Sequence, residues 1–402
     1  MALIVQKYGG TSVADADRIR VVADHIARTR RSGNDVVVVV SAMGKTTDDL
    51  VRLADLVSST QTPREMDMLL TAGERISMAL LCMALADIGV PALSFTGSQA
   101  GIITDTDHQR AKIVEIKADR LTEAVRSKTV PVVAGFQGVS TAKNVTTLGR
   151  GGSDTTAVAL ASVLQADVCE IYTDVSGVFT ADPRVVPSAK KIPAISFEEM
   201  LELASSGGRV LALRSVEFAR NFNVPLHVRS SFTWEPGTWV GEEGVAMEQA
   251  VVSAVSHESH EVKITITKVP DHPGVAAAIF RAVADQGVNI DMIVQNTSVQ
   301  GYTDISFTAP RSEMEAALSV TSKAAIGIGA ESVSADQDIG RVSLVGAGMK
   351  THPGVTAKVF ETLAKLDINI EMISTSAIRI SCVVREKDLE RAVVALHEAF
   401  EL

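Results

Sequence analysis

Five consecutive valines, Val36–Val40, stand between Asp35 and Ser41. An unbroken run of β-branched residues leaves no polar face for water, so it suits a central strand buried on both sides. Other strands are predicted at Leu3 to Gln6, Ala92 to Phe95, Thr129 to Phe136 and Val168 to Thr173. Between them run helical patterns. The clearest spans Asp15 to Arg31, with apolar positions at Ile19, Val22, Ala23 and Ile26, and another begins near Asp48. Strands alternating with helices predict an α/β domain with a mostly parallel sheet between helices. Ligands bind such sheets beyond the carboxyl ends of the strands. Polar clusters stand there at Lys7–Ser12, Ser41–Thr47 and Asp174–Arg184.

The segment Thr147-Leu148-Gly149-Arg150-Gly151-Gly152-Ser153-Asp154-Thr155-Thr156 precedes an apolar run from Ala157 to Leu164. Ser153 or Asp154 suits a helix N-cap. A glycine loop feeding a helix N-terminus offers N–H groups and a positive dipole end to phosphate or carboxylate, and Arg150 adds a planar fork for the same anions. The same residues also fit a tight turn with Arg150 solvated. Lys7, read as following its strand, stands before Gly9-Gly10, the reverse of the P-loop order. It can place a point charge on a polyphosphate or simply lie on the surface. The Asp174–Arg184 loop fits a nucleoside site or an Asp-Pro turn.

At 402 residues the chain exceeds one ordinary core and predicts two or three domains. Its net charge of −10, with both signs interspersed, argues against nucleic acid or an anionic membrane as partner. Cys82, Cys169 and Cys382 form no metal pattern and read as reduced thiols. No signal peptide is read at the N-terminus, and no apolar run is read as approaching the ~20 residues of a membrane span. A soluble, cytoplasmic protein is expected.

From about residue 250 the chain repeats itself with an offset of eighty residues. His272-Pro273-Gly274-Val275 returns as His352-Pro353-Gly354-Val355, and the stretch through Asn289-Ile290-Asp291-Met292 returns through Asn369-Ile370-Glu371-Met372. Each copy reads as strand, Pro-Gly loop, helix, then a strand starting at the Asn. Copies this small are expected to pack together or with another subunit. The histidines lack a second ligand at metal spacing and suit a turn. Met292 and Met372 read as core.

Lys-Tyr-Gly-Gly-Thr-Ser at 7–12, Ser-Ala-Met-Gly at 41–44, Thr-Ala-Gly-Glu-Arg-Ile-Ser at 71–77, the glycine segment and Tyr-Thr-Asp-Val at 172–175 together resemble the aspartate kinase family, in its order and spacing. The C-terminal repeats resemble its paired ACT domains. The resemblance implies an amino acid kinase fold over residues 1–246, followed by two ferredoxin-like ACT domains at 247–340 and 341–402. With the chain ending at Leu402, it implies the monofunctional type, without a homoserine dehydrogenase domain. The implied reaction moves the γ-phosphoryl of ATP, with Mg²⁺, to the β-carboxylate of L-aspartate.

The resemblance also implies roles. Lys7 with the Gly9 and Gly10 amides holds the phosphoryl group, and Arg150 clamps the substrate α-carboxylate. Glu74 meets the ammonium, and Ser41 with Thr46 or Thr47 orients the side-chain carboxylate. Gly151, Gly152, Ser153 and Asp154 line the pocket. Tyr8, Thr173, Asp174, Phe179, Asp182 and Arg184 attend the nucleotide and its Mg²⁺, and no protein-only metal site is implied. An effector site is implied on Asp271, Gly274, Asn289, Ile290, Asp291 and Gln295, with Val355, Thr356, Asn369, Ile370, Ser376 and Ala377 of the second copy. Ala377 stands where the family usually has Glu, so threonine is expected as effector over lysine. A homo-oligomer or α/β assembly through the ACT domains is expected, with Met247 a candidate start for a separate regulatory subunit. Two other readings stand beside this one. They are a kinase for glutamate, acetylglutamate or carbamate, and a catalytically dead amino acid sensor.

Overall fold

All five valines of Val36–Val40 are buried, inside an eight-stranded sheet. A computed structural model describes residues 2–233, 235–242, 251–296 and 300–402; Met247 lies outside them. The chain divides into two compact units. The first is Met1–Val178, Lys191–Ala204 and Arg209–Ala246, and the second is Phe179–Lys190, Ser205–Gly208 and Met247–Leu402.

The strands of the first unit are β1 (Leu3–Tyr8), β2 (Asp35–Val40), β3 (Ala92–Phe95), β4 (Ile102–Thr104), β5 (Ile113–Ile116), β6 (Val130–Ala134), β7 (Gln137–Ser140), β8 (Val145–Thr147), β9 (Val168–Thr173), β10 (Ala194–Ser196), β11 (Leu226–Ser230) and β12 (Thr238–Gly241). The large sheet runs β10-β12-β11-β9-β1-β2-β6-β3, parallel except where β11 meets β12. A smaller sheet runs β5-β4-β7-β8.

The helices of this unit are α1 (Ala16–Arg31), α2 (Thr46–Val57), α3 (Pro63–Asp87), α4 (Asp119–Arg126), α5 (Gly152–Val163), α6 (Phe197–Ser205) and α7 (Leu213–Asn221). Asp15 caps α1 by accepting from the Arg18 amide at 2.9 Å. Alternation along the valine strand sends Val36, Val38 and Val40 into a core with Ile19, Val22 and Ile26 of α1 and Met78, Leu81 and Leu85 of α3. The opposite face of the sheet is covered by α5. With 25 residues, α3 is long and apolar enough by composition to cross a membrane, which corrects the expectation that no run approaches that length. Its buried Asp67 and Glu74, and its packing on α1 and the sheet, make it a core helix of this unit.

In the second unit the strands are β13 (Ala254–Glu258), β14 (Glu261–Pro270), β15 (Ile293–Gln295), β16 (Tyr302–Pro310), β17 (Ser332–Asp336), β18 (Ile339–Val345), β19 (Met372–Thr375) and β20 (Arg379–Arg385). The helices are α8 (Val275–Asp285), α9 (Met314–Ile328), α10 (Val355–Lys365) and α11 (Leu389–Ala399). The first repeat is β14-α8-β15-β16-α9-β17, with sheet order β15-β16-β14-β17. The second runs β18-α10-β19-β20-α11, and its edge place beside β18 is filled by β13.

The repeats are therefore not split at residues 340 and 341. β13, from before the first repeat, completes the second, and β18 already begins at Ile339. The strands expected at the Asn residues begin instead at Ile293 and Met372. Met292 and Met372, equivalent positions of the two copies, meet in one cluster with Ile339 and Val383.

Segment 179–190, expected in the catalytic domain, belongs to this second unit. Ala181 and Val186 join the core under α10 and α11, and Thr180 Oγ1 lies 2.8 Å from His397 Nε2. Its apolar side chains are matched to that core, which no local pattern reveals.

Candidate active site

β1 extends to Tyr8, so Lys7 lies within the sheet, opposite Val39 and Ile171, and not in the loop after it. Alternation turns its side chain onto the α5 face, with Nζ 2.6 Å from Asp154 Oδ1. Lys7 is 9 % and Asp154 8 % exposed. The N-cap of α5 is Gly151, not Ser153 or Asp154, because Gly151 takes φ 71°, a left-handed turn. A Cβ there would also lie 2.2 Å from the Ala212 Cβ. Asp154 thus sits in the first turn of the helix, beside the Lys7 ammonium. The glycine segment follows β8 of the small sheet, while the other polar loops follow β1, β2 and β9 of the large one.

Backbone hydrogen bonds join those strand ends. The Gly9 amide donates to Tyr172 O at 3.1 Å, the Ser41 amide to Tyr8 O at 3.1 Å, and the Gly44 amide to Gly10 O at 3.0 Å. Thr46 donates from its hydroxyl to Met43 O at 2.6 Å, and Thr47 beside it is half-buried. Glu74, on α3 and 3 % exposed, accepts from the Ala42 amide at 3.2 Å through Oε1. Its Oε2 is buried without a hydrogen-bond partner among the described residues. Burial pushes this carboxyl up to about 7, against the pull of the backbone hydrogen bonds. Above its unfolded value Glu74 therefore costs stability, increasingly as pH rises toward 7, and a cation at Oε2 relieves that cost.

The geometry brings together Lys7 with Asp154, Tyr8 with Ser41, Gly10 with Gly44, and Glu74 with the residue after Ser41. Gly152 and Ser153 are buried in the first turn of α5, and Arg150 is exposed on the loop before it. Asp174 is exposed and accepts from the Thr173 hydroxyl at 3.1 Å. Phe179, Asp182 and Arg184 are grouped with the second unit, and Asp182 is paired with Arg184 at 2.7 Å.

Sequence reasoning missed a buried polar row on the α1 face. Tyr8 and Tyr172 stack at 4.9 Å, and Glu170 accepts from Gln6, Tyr172 and Arg229. His25, 2.6 Å from Tyr172 Oη, is pushed down to about 4 by burial. The polar residues in three adjacent strands were a signal, but only the register aligns them. Ser231 was also missed; it lies 2.8 Å from Ser12 Oγ and donates to Thr173 O.

Residues 2–230 match the amino acid kinase family, and residues 262–324 and 342–400 match the ACT domain. The chain is 58 % identical to the aspartokinase of Mycolicibacterium smegmatis, over all of this chain and 97 % of that one. It is 55 % identical to the aspartokinase of Corynebacterium glutamicum, with the same coverage. The chain belongs to the aspartokinase family. Among solved aspartokinases, Escherichia coli aspartokinase III in complex with aspartate and ADP (R-state) aligns with a TM-score of 0.85 at 25 % identity, over the whole of both chains. The same enzyme with lysine and aspartate (T-state) aligns at 0.76 and 26 % identity, over 99 % of each. The α/β amino acid kinase fold and the paired ACT domains are those of aspartokinases.

Each ACT repeat of this aspartokinase-family chain has a cavity at its His-Pro-Gly turn. One, of about 350 Å³, is lined by Asp271, Gly274 and Gln295; the other, of about 340 Å³, by Val355, Thr356, Ser376 and Ala377. Asn289, Ile290, Asn369 and Ile370 line neither. Asp291 is instead paired with Arg341, which is 2 % exposed and also 2.8 Å from Glu261. His352 Nδ1 donates to Gly348 O at 2.8 Å, and His272 Nδ1 lies 3.3 Å from Pro273 O.

Proposed function

We propose that the chain is an aspartate kinase. It transfers the γ-phosphoryl of ATP to the β-carboxylate of L-aspartate, giving 4-phospho-L-aspartate and ADP, as a cytoplasmic first step towards lysine, threonine and methionine. The observation that carries this reading is Glu74, a buried carboxylate with one unpartnered oxygen beside the strand ends. Such a group asks for a cation, and the ammonium of an amino acid supplies one. The acceptor carboxylate needs no general base, its reference pKa being about 3.9, so catalysis reduces to holding two anions in line and neutralising charge. Lys7 with the Gly9 and Gly10 amides takes the phosphoryl group. Arg150 takes the α-carboxylate, Ser41 with Thr46 or Thr47 orients the side chain, and Asp154 keeps Lys7 in place. Thr173 and Asp174 attend the nucleotide.

Mg²⁺ would arrive with ATP and neutralise phosphate charge. Asp174, exposed at a strand end with one neighbouring hydroxyl on it, suits an ion held by one or two carboxylates and the phosphates. No cluster of three or more His, Cys, Asp or Glu able to cage a metal occurs among the described residues.

Trapping the acyl phosphate with hydroxylamine, at varied aspartate and pH, tests this. Aspartyl hydroxamate is expected, and its absence with ATP and Mg²⁺ present would favour a dead sensor. The ammonium binds the ionised form of Glu74, whose carboxyl stands at about 7. The aspartate KM is therefore expected to rise as pH falls through 7, about tenfold per unit below it. Glu74→Gln should have a high KM that no longer follows pH.

Threonine is the proposed effector, bound through the ACT repeats, which also join subunits. Ala377, exposed at the second cavity, offers no carboxylate to a lysine side chain. An effector that prefers one quaternary arrangement shifts the population, typically by ~1–3 kcal/mol of coupling. Threonine should inhibit alone or far more strongly than lysine in a dose series; comparable inhibition by lysine alone would overturn this.

A further inference from the structure

One buried carboxylate outside the groups assigned above grips the two stretches that carry the glycine segment. Asp67, in α3, is 0 % exposed. Its Oδ1 accepts from the Thr147 hydroxyl at 2.6 Å and the Gln109 amide at 3.1 Å, and its Oδ2 lies 2.5 Å from His108 Nδ1. Facing a carboxylate, Nδ1 carries the hydrogen.

Thr147 ends β8 and leads into Leu148-Gly149-Arg150. His108 and Gln109 lie in the turn between β4 and β5. The two stretches are tied again by the Ala111 amide donating to Thr147 O at 3.0 Å, and by Arg214, which donates to Leu148 O and Ala111 O, each at 3.1 Å. Gly149 takes φ 78°, and a Cβ on it would stand 2.9 Å from Gln109 O, so the turn presses directly on the loop that presents Arg150. A buried carboxylate adds little stability over an apolar group of similar size. What it adds is direction, because each acceptor oxygen fixes where a donor must stand.

We propose that Asp67 is a positioning residue for substrate recognition. By holding Thr147, His108 and Gln109 at once, it sets where Arg150 meets the substrate carboxylate. The inference rests on the reading of Arg150 under Proposed function.

Steady-state kinetics and thermal melts of four variants test it. Thr147→Val and His108→Ala remove a donor, whereas Thr147→Ser and His108→Asn keep one in place. The donor-removing pair should raise the aspartate KM about tenfold with the ATP KM within about twofold, and the conservative pair should stay near the parent. Adding Thr147→Val to Arg150→Ala should raise the KM no further, since the effect runs through Arg150. A lowered melting temperature with an unchanged aspartate KM would overturn the proposal. So would equal rises for both substrates, or an undiminished effect in the Arg150→Ala background. If Arg150→Ala alone left the aspartate KM unchanged, the reading of Arg150 would fail first. A normal Arg150 effect with none at Thr147 or His108 would sink this inference alone.

Discussion

Lys7→Ala is expected to lower turnover about a thousandfold, the scale of losing one preorganised charge from a site where negative charge develops. The effect should fall on kcat more than on either KM, because the ammonium works hardest as the phosphoryl group passes between two anions. The structure adds a consequence that the sequence did not hold. Lys7 Nζ lies 2.6 Å from Asp154 Oδ1, with both residues nearly buried. Removing Lys7 strands that carboxylate, at a cost of about 3 kcal/mol in stability. The double variant Lys7→Ala with Asp154→Asn separates the effects. It should recover most of the melting temperature and none of the turnover. Recovery of turnover would mean that Lys7 serves Asp154 and not the phosphoryl group.

The second large effect is expected at Arg150. It is exposed on the loop leading into α5, free to close on a carboxylate with two parallel hydrogen bonds. Arg150→Ala should raise the aspartate KM about a hundredfold, the penalty for truncating one partner of a hydrogen-bonded charge pair. The ATP KM should move little. Arg150→Lys should recover only part of the loss, since a point charge does not reproduce the planar fork. Initial rates at saturating ATP and varied aspartate, then the reverse, measure this directly. A larger rise for ATP would move Arg150 to the nucleotide.

Much of this is legible in the residues alone. The valine run named its own place as a buried central strand, because a segment with no polar face has nowhere else to go. The motifs at the ends of β1, β2 and β9 carry their chemistry in residue type alone. Errors arose where a residue's role depended on an element distant in sequence. Lys7 reads as standing after its strand, yet pairing with β2 and β9 carries the strand through it. Asp154 looks like a helix cap, yet Gly151 takes the left-handed turn and caps the helix first, packed so closely on the distant Ala212 that a side chain there would clash.

Local pattern alone revealed the core strands of a mostly parallel sheet, the eighty-residue repeat and the residue types at the strand ends. These follow from periodicity and local backbone preference, which act over a few residues. Tertiary structure alone decided that β13 completes the second repeat, and that segment 179–190 belongs to the C-terminal unit. It also gave Asp67 its grip on Thr147, eighty residues away. One cause underlies all three. A strand edge, an apolar patch or a carboxylate states what kind of partner it needs, and only the packed chain decides which partner arrives.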